Sequence, residues 1–377
     1  MTRTPGAISD DARLLIVRLG AVGDVIRTLP AASLLRDAFP RARISWLVED
    51  LSWSLLQGHP DLDEVIRLPR RTLHDAALRP WRLPGLLREI TGLLVSRRFD
   101  VAVDFQGTLK SALLAKLSGA PRRAGFARGH SREMSWRLLT ETVRPPTTRL
   151  NRVERNLLLA ESLGASSDTI RVGLPERPGE AEAAEALLSD RVPAGARAVV
   201  LSPGTSSRQA WKRWPEARFG VLASTLRRDC GVAPLVAWGP GEEPLARAVA
   251  TASDGAAILL PPVDLRLLAA LLRRVTLFVG ADTGPMHLAW AVGCPVLALF
   301  GPTDPALNAP IGTEHAVLRR GPSMESLQPG AVLEAAIELL RRARPARPIT
   351  GGPVFPRRRL PIAPVAVPVE APATAAS

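Results

Sequence analysis

Cysteine is scarce in this chain: only Cys230 and Cys294 occur in 377 residues, with neither metal-ligand spacing nor the pattern of a disulfide framework. Both are expected to be core thiols. Long apolar runs are missing as well, since no stretch reaches the roughly 18 residues of a membrane-spanning helix. The polar start MTRTPGAISDDAR lacks the apolar centre of a secretory signal, which points to a cytoplasmic protein. No zinc finger, RRM signature or aromatic-interleaved basic stripe is present. No carboxylate pair is read as a D-x-D metal site, so no metal is required, although loosely bound magnesium stays compatible with the sequence. Lysine occurs three times, at 110, 116 and 212, among 49 lysines and arginines. A position that keeps lysine in an arginine-favouring chain needs a compact ammonium rather than a planar fork, which singles out Lys212.

The chain is long enough for two domains, and 46% hydrophobic residues make it globular. A formal charge of +13 and a pI near 11.3 predict attraction to polyanions such as nucleic acid, anionic lipid or a phosphorylated glycolipid.

Strands and helices alternate. Leu14 to Val17 reads as a strand that enters the loop Gly20 to Asp24 and then an amphipathic helix. The loop spacing is G-x-x-G, so neither the dinucleotide fingerprint nor a phosphate P-loop is present. Asp24, at the start of the helix, could cap it or act as a base. Strands follow at 44–48, within 59–69 and at 99–105, with a helix over 86–97. This order predicts parallel topology and a doubly wound α/β fold, whose crevice lies at the carboxyl ends of the strands.

A leader over 1–12 and a Pro/Ala-rich tail over 345–377, including PRRRLP, are expected to be disordered. Between them come a first domain over 13–172, a Pro/Gly-spaced linker over 173–180 and a second domain over 181–344. In the second, a strand at 198–201 leads into SPGTSSRQAWKRWP, a loop able to offer hydroxyls, amides and Lys212 to phosphate. The strand at 234–238 ends in WGPGEEP, where a carboxylate could accept bonds from a ribose. Val275 to Val279 reads as a buried strand bounded by Gly280. Asp282, Thr283 and Gly284 then lead into a helix over 285–292 that carries His287 in its first turn. Its free amides and positive end form a seat for pyrophosphate. The plainer alternative is an N-cap followed by a satisfied core histidine.

Three segments carry a family resemblance. GADTGPMHLAWAVGCPVLALFGPTDP, RLGAVGDVIRTLP and DFQGTLKSALLAKLSGAPRRAGFARG resemble the signatures of the family 9 glycosyltransferases, the bacterial ADP-heptose:lipopolysaccharide heptosyltransferases. The resemblance implies a GT-B fold: two facing Rossmann-like β/α/β domains with a cleft between them, the acceptor on the first and the donor on the second. It also implies an inverting transferase that moves L-glycero-D-manno-heptose from ADP to a Kdo or heptose sugar of lipid A at the cytoplasmic membrane face. The third segment reads closer to the first heptosyltransferase, which acts on Kdo.

Carried over residue by residue, the resemblance makes Asp24 the base. Thr205, Ser206, Lys212, Glu242 (with Glu243 as an alternative), Asp282, Thr283, Gly284 and His287 become donor-binding. Gly23, Gln106, Lys110 and Arg128 fall on the acceptor side, with Lys110, Arg122, Arg123 and Arg128 clustered near the crevice. No cofactor is implied. The partners implied are an ADP-sugar, an anionic glycolipid and, peripherally, the anionic inner-membrane surface. Two rivals stay open: a non-catalytic polyanion-binding protein, and a family member using another acceptor or donor.

Overall fold

A computed structural model describes residues 8–69, 81, 83–343, 352–357 and 363–364. The first sheet holds six parallel strands: β1 (Arg13–Val17), β2 (Arg43–Glu49), β3 (Glu64–Leu68), β4 (Val101–Asp104), β5 (Arg122–Phe126) and β6 (Glu141–Arg144). Their spatial order is 3-2-1-4-5-6. After β7 (Thr169–Arg171), a second parallel sheet repeats that pattern with β8 (Ala198–Ser202), β9 (Ala233–Val236), β10 (Ile258–Leu259), β11 (Leu277–Ala281), β12 (Val296–Leu299) and β13 (Ala316–Leu318). The chain is thus two doubly wound α/β domains of GT-B architecture. Strand order reverses between β1 and β4 and again between β8 and β11, which places a ligand crevice at the carboxyl end of each central pair.

The central strands are apolar because helices cover both faces of each sheet: every residue of β4, β8 and β11 is buried. On the first sheet pack α1 (Val22–Ile26), α2 (Leu29–Ala38), α3 (Asp50–Leu56), α4 (Leu83–Val95), α5 (Leu109–Leu117) and α6 (Arg152–Glu161). The second domain carries α7 (Glu180–Arg191), α8 (Glu216–Cys230), α9 (Glu243–Ala252), α10 (Leu265–Leu272), α11 (Gly284–Ala291), α12 (Pro305–Asn308) and α13 (Pro329–Arg342). One apolar cluster runs unbroken through both domains, from Val22, Val25 and Leu55 to Leu271, Met286 and Trp290. The domains therefore pack on each other through apolar side chains.

Three expectations are corrected. Gly280 does not end its strand. It pairs with Ser202 inside the ladder, and a Cβ there would lie 2.9 Å from the Phe278 ring, so the glycine answers a lack of space and the strand runs on to Ala281. Residues 8–12, assigned to the leader, are packed: Ile8 is buried and its amide donates to Leu163 O at 3.3 Å. The tail also contributes structure. β14 (Val354–Pro356) pairs antiparallel with β7, and β15 (Ala363–Pro364) pairs antiparallel with β6. Phe355 is buried against Trp290, with ring centroids 5.9 Å apart and planes 12° from parallel, and the Arg357 guanidinium is paired with Glu154 and Glu161. Composition alone hides these two anchors. Residues 1–7 and the PRRRLP stretch beyond Arg357 lie outside the described residues.

Candidate active site

β1 delivers Arg18 and the Gly20 loop to the crevice, and α1 starts at once with Asp24 in its first turn. The side chain of Asp24 does not cap the helix: the N-cap residue is Ala21, and no side-chain cap bond forms. Instead its Oδ1 accepts from Arg27 Nη2 and lies 2.9 Å from Arg18 Nη2 and 3.8 Å from Arg152 Nη1. Oδ2 accepts no hydrogen bond among the described residues. Burial would push this carboxyl up, but the three guanidiniums outweigh it and hold Asp24 well below the ordinary carboxylate range.

Beside Asp24 opens a cavity of about 190 Å³ whose wall includes Arg18, Arg27, Arg132, Arg152, Arg155 and His130. Arg155 sits over the Phe126 ring, its guanidinium carbon 3.8 Å from the centroid, and burial lowers it to about 10. The Nε atoms of Arg18, Arg27 and Arg155 are buried without a partner among the described residues. Asp104, at the end of β4, is pushed up to about 6 by burial. Its Oδ1 accepts from the amides of Gln106 and Gly107 at 2.9 and 3.0 Å, which fixes the loop under the cavity. Gln106 then accepts from Leu19 N at 2.8 Å and ties the two central loops together. Such a cavity selects a multiply anionic, hydroxyl-bearing ligand.

In the second domain, four loops converge at the β8/β11 crevice. Glu242 accepts from Gly239 N at 2.8 Å, and its carboxylate lies against Gly204, where a Cβ would come within 2.1 Å of it. Glu243 turns away to Arg247. Thr205 is buried, its Oγ1 donating to Gln209 O at 3.0 Å and accepting from Arg213 Nε at 3.1 Å, whereas Ser206 is exposed. Lys212 is buried and donates to Asp282 O and Oδ2, each at 3.2 Å. Thr283 precedes α11 in extended backbone, with Pro285 in the first turn.

The two crevices meet. Arg27 Nη1 lies 3.0 Å from His287 Nε2 and donates to Asn308 Oδ1 at 2.7 Å, while Asn308 Nδ2 donates to Asp282 Oδ2 at 2.9 Å. His287 Nε2 is also 3.3 Å from Asp282 Oδ1. Burial, then the Arg27 charge, pushes His287 down to about 4, so the ring is neutral at physiological pH. Burial opposes ionisation of Asp282, but His287, Lys212 and Arg27 hold it well below the ordinary range.

The structure thus brings Asp24, Lys212, Asp282, Thr283, Gly284 and His287 to one seam, with Gln106 in the cavity wall. Other expected residues fall elsewhere. Gly23 faces the donor domain rather than an acceptor: a Cβ there would lie 2.7 Å from His287 Cδ2. Lys110 stands on the outer face of α5, bonded to Glu49 Oε1 at 2.6 Å. Arg122 and Arg123 open β5 and so sit at its amino end, away from the crevice; Arg122 pairs with Glu141. Arg128 is exposed beyond the other end of β5. Asp61-Leu62-Asp63 does spell D-x-D, but its carboxylates pair with Arg171 and Arg36. Sequence reasoning missed Arg27, Asn308, Arg152, Arg155 and Asn156. Arg27 was open to discovery, lying one helical turn after Asp24 inside the quoted segment.

Residues 88–330 match the profile of Glycosyltransferase family 9 (heptosyltransferase). The sequence is 32% identical to Lipopolysaccharide heptosyltransferase 1 of Pseudomonas aeruginosa over 317 residues, 81% of this chain and 83% of that protein. Against Lipopolysaccharide heptosyltransferase 1 of Escherichia coli (strain K12) the identity is 30% over 347 residues, 85% and 98% of the two chains. Among solved structures, E. coli heptosyltransferase WaaC with ADP superposes with a TM-score of 0.70 at 27% identity, covering 87% of this chain and 99% of that one. A glycosyl transferase family 9 protein from Veillonella parvula DSM 2008 shares the fold, with a TM-score of 0.77 at 22% identity over 89% of this chain and 99% of its own.

Proposed function

This chain belongs to glycosyltransferase family 9, and from that premise we propose that it transfers L-glycero-D-manno-heptose from ADP-heptose to a Kdo sugar of the lipopolysaccharide inner core, with inversion. The observation that carries the reading is Asp24: a carboxylate with Oδ2 unengaged, on the wall of an arginine-lined cavity and one residue from the donor-domain seam. A sugar acid on phosphorylated lipid A presents the carboxylate and phosphates such a cavity selects. Family membership also sets aside the reading of the positive charge as that of a non-catalytic polyanion binder.

In the reaction, Oδ2 of Asp24 takes the proton of an acceptor hydroxyl as its oxygen bonds to the anomeric carbon of the donor. The bond from that carbon to the diphosphate oxygen breaks, and the electron pair leaves on ADP. Lys212, the amides of Thr283 and Gly284 and the positive end of α11 receive the developing charge. Ser206 is free to reach the diphosphate, while Thr205 shapes the loop. Glu242 faces the nucleoside ribose. His287, neutral and enclosed, supports the seam rather than the phosphate.

Among the described residues, no helix is long and apolar enough to cross a membrane. A lipid-linked acceptor then has to be met at a bilayer surface, and the outer face of α5 suits a cytoplasmic, anionic leaflet: Leu109, Lys110, Leu113 and Lys116 are all exposed, and Met134 is 60% exposed on the neighbouring loop. Thr108, just before this face, lines the cavity. Sedimentation with anionic vesicles should fall for Leu109→Ser with Leu113→Ser; unchanged binding would move the contact elsewhere.

The reaction is tested by ADP release on mixing the protein with ADP-heptose and Kdo-bearing lipid A, beside Asp24→Ala. Turnover in the wild type, lowered on the order of 10²-fold or more in the variant with ADP binding retained, is expected. Donor binding without turnover would refute the acceptor, and no binding of any ADP-sugar would refute the donor.

A further inference from the structure

Arg27 is held by both domains at once. Its carbonyl accepts from Asn156 Nδ2 at 3.0 Å within the first domain, and Nη2 donates to Asp24 Oδ1. Nη1 reaches across the seam to Asn308 Oδ1 at 2.7 Å and His287 Nε2 at 3.0 Å. A guanidinium is a planar fork of fixed geometry, so movement at one end is transmitted to the other. The His287 nitrogen is contested. It faces a donor, Arg27, and an acceptor, Asp282 Oδ1 at 3.3 Å, and it can serve only one of them.

We propose that Arg27 is a positioning residue that makes the orientation of the Asp24 carboxylate depend on the seating of the donor domain. By loading Oδ1 it turns Oδ2 to the cavity, and its other nitrogen is fixed only while His287 and Asn308 are in place. Donor arriving at Lys212 and Asp282 is felt at the Asp24 carboxylate through this side chain. The inference rests on the reading of Asp24 as the base.

The charged groups facing Asp24 are Arg18 after β1, Arg27 just beyond the end of α1 and Arg152 on α6, with His287 and Asp282 behind Arg27. The test is steady-state kinetics with ADP-heptose and Kdo-bearing lipid A on wild type, Arg27→Gln and Arg27→Lys. Arg27→Gln is expected to lower kcat on the order of 10²-fold with the donor KM within about threefold. Arg27→Lys keeps the charge but can serve one end only, so it should recover part of the lost kcat and stay about tenfold below wild type. A kcat near wild type in Arg27→Gln, or a raised donor KM with kcat unchanged, overturns the proposal. If Arg27→Gln does not fold, Arg27→Lys decides alone: kcat about tenfold down with the donor KM within about threefold is expected, and a wild-type kcat overturns the proposal. Absence of wild-type turnover would instead refute the proposed reaction.

Discussion

Lowering the pH from 7.5 to 4.5 should destabilise this protein through His287, by an amount the structure sets. The ring is 3% exposed, and burial followed by the neighbouring Arg27 charge pushes its pKa down to about 4. In an unfolded chain the value is about 6.5. As pH falls below about 6.5 the unfolded chain binds a proton that the folded protein refuses until about 4, so stability declines across that window. The full difference corresponds to about 3 kcal/mol, of which about 2 kcal/mol is lost by pH 5. His59 and His315 are also lowered by burial and steepen the wild-type slope, so the informative quantity is the difference from His287→Gln. Asp24 and Asp282 are depressed, so their contribution is present above the ordinary carboxylate range and is lost only at more acidic pH, below this window. Urea unfolding of both proteins at intervals of half a pH unit measures the effect. Equal pH dependence in the two would mean that His287 protonates in place as an ion-pair partner of Asp282, and that burial plus Arg27 does not outweigh that carboxylate.

Two further substitutions probe other parts of the molecule. Gly204→Ala would force the Glu242 carboxylate off its bond to Gly239 N, because the new Cβ would lie 2.1 Å from Oε2. ADP-sugar affinity measured by calorimetry should fall about tenfold or more, in line with ~1–3 kcal/mol of overpacking; unchanged affinity would remove Glu242 from the donor seat. Phe355→Ala deletes a ring that is 2% exposed and stacked on Trp290. A loss of about 3–5 kcal/mol in chemical denaturation is expected, with faster proteolysis after residue 343; an unchanged midpoint would show that the return segment bears no load.

Much of this architecture was legible because parallel strands buried on both faces read as short apolar runs, and because a doubly wound sheet puts its chemistry in the loops that follow them. RLGAVGD, SPGTSS, WGPGEE and ADTGP all fall at such ends. What periodicity could not supply was the pairing of charges. Arg27 and Asn308 are 281 positions apart, and nothing in either neighbourhood announces the other. Among 49 lysines and arginines, those that line the cavity look like those that coat the surface. Arg122 and Arg123 were misplaced for a directional reason: they begin a strand, and the crevice lies where strands finish. Phe355 was hidden by its setting, since a Pro/Ala-rich stretch gives no sign that one ring in it fills a gap beside Gly312.

The chain leaves its first half between β7 and α7, and β14, which lies beyond α13 in sequence, pairs with β7. The second half is thus a long insertion whose two flanking segments are clasped by a single short ladder, as the neck of a bag is by its drawstring. The meeting of Arg27 with His287 and Asn308 is therefore prepared by how the chain is threaded as well as by the residues in the cleft.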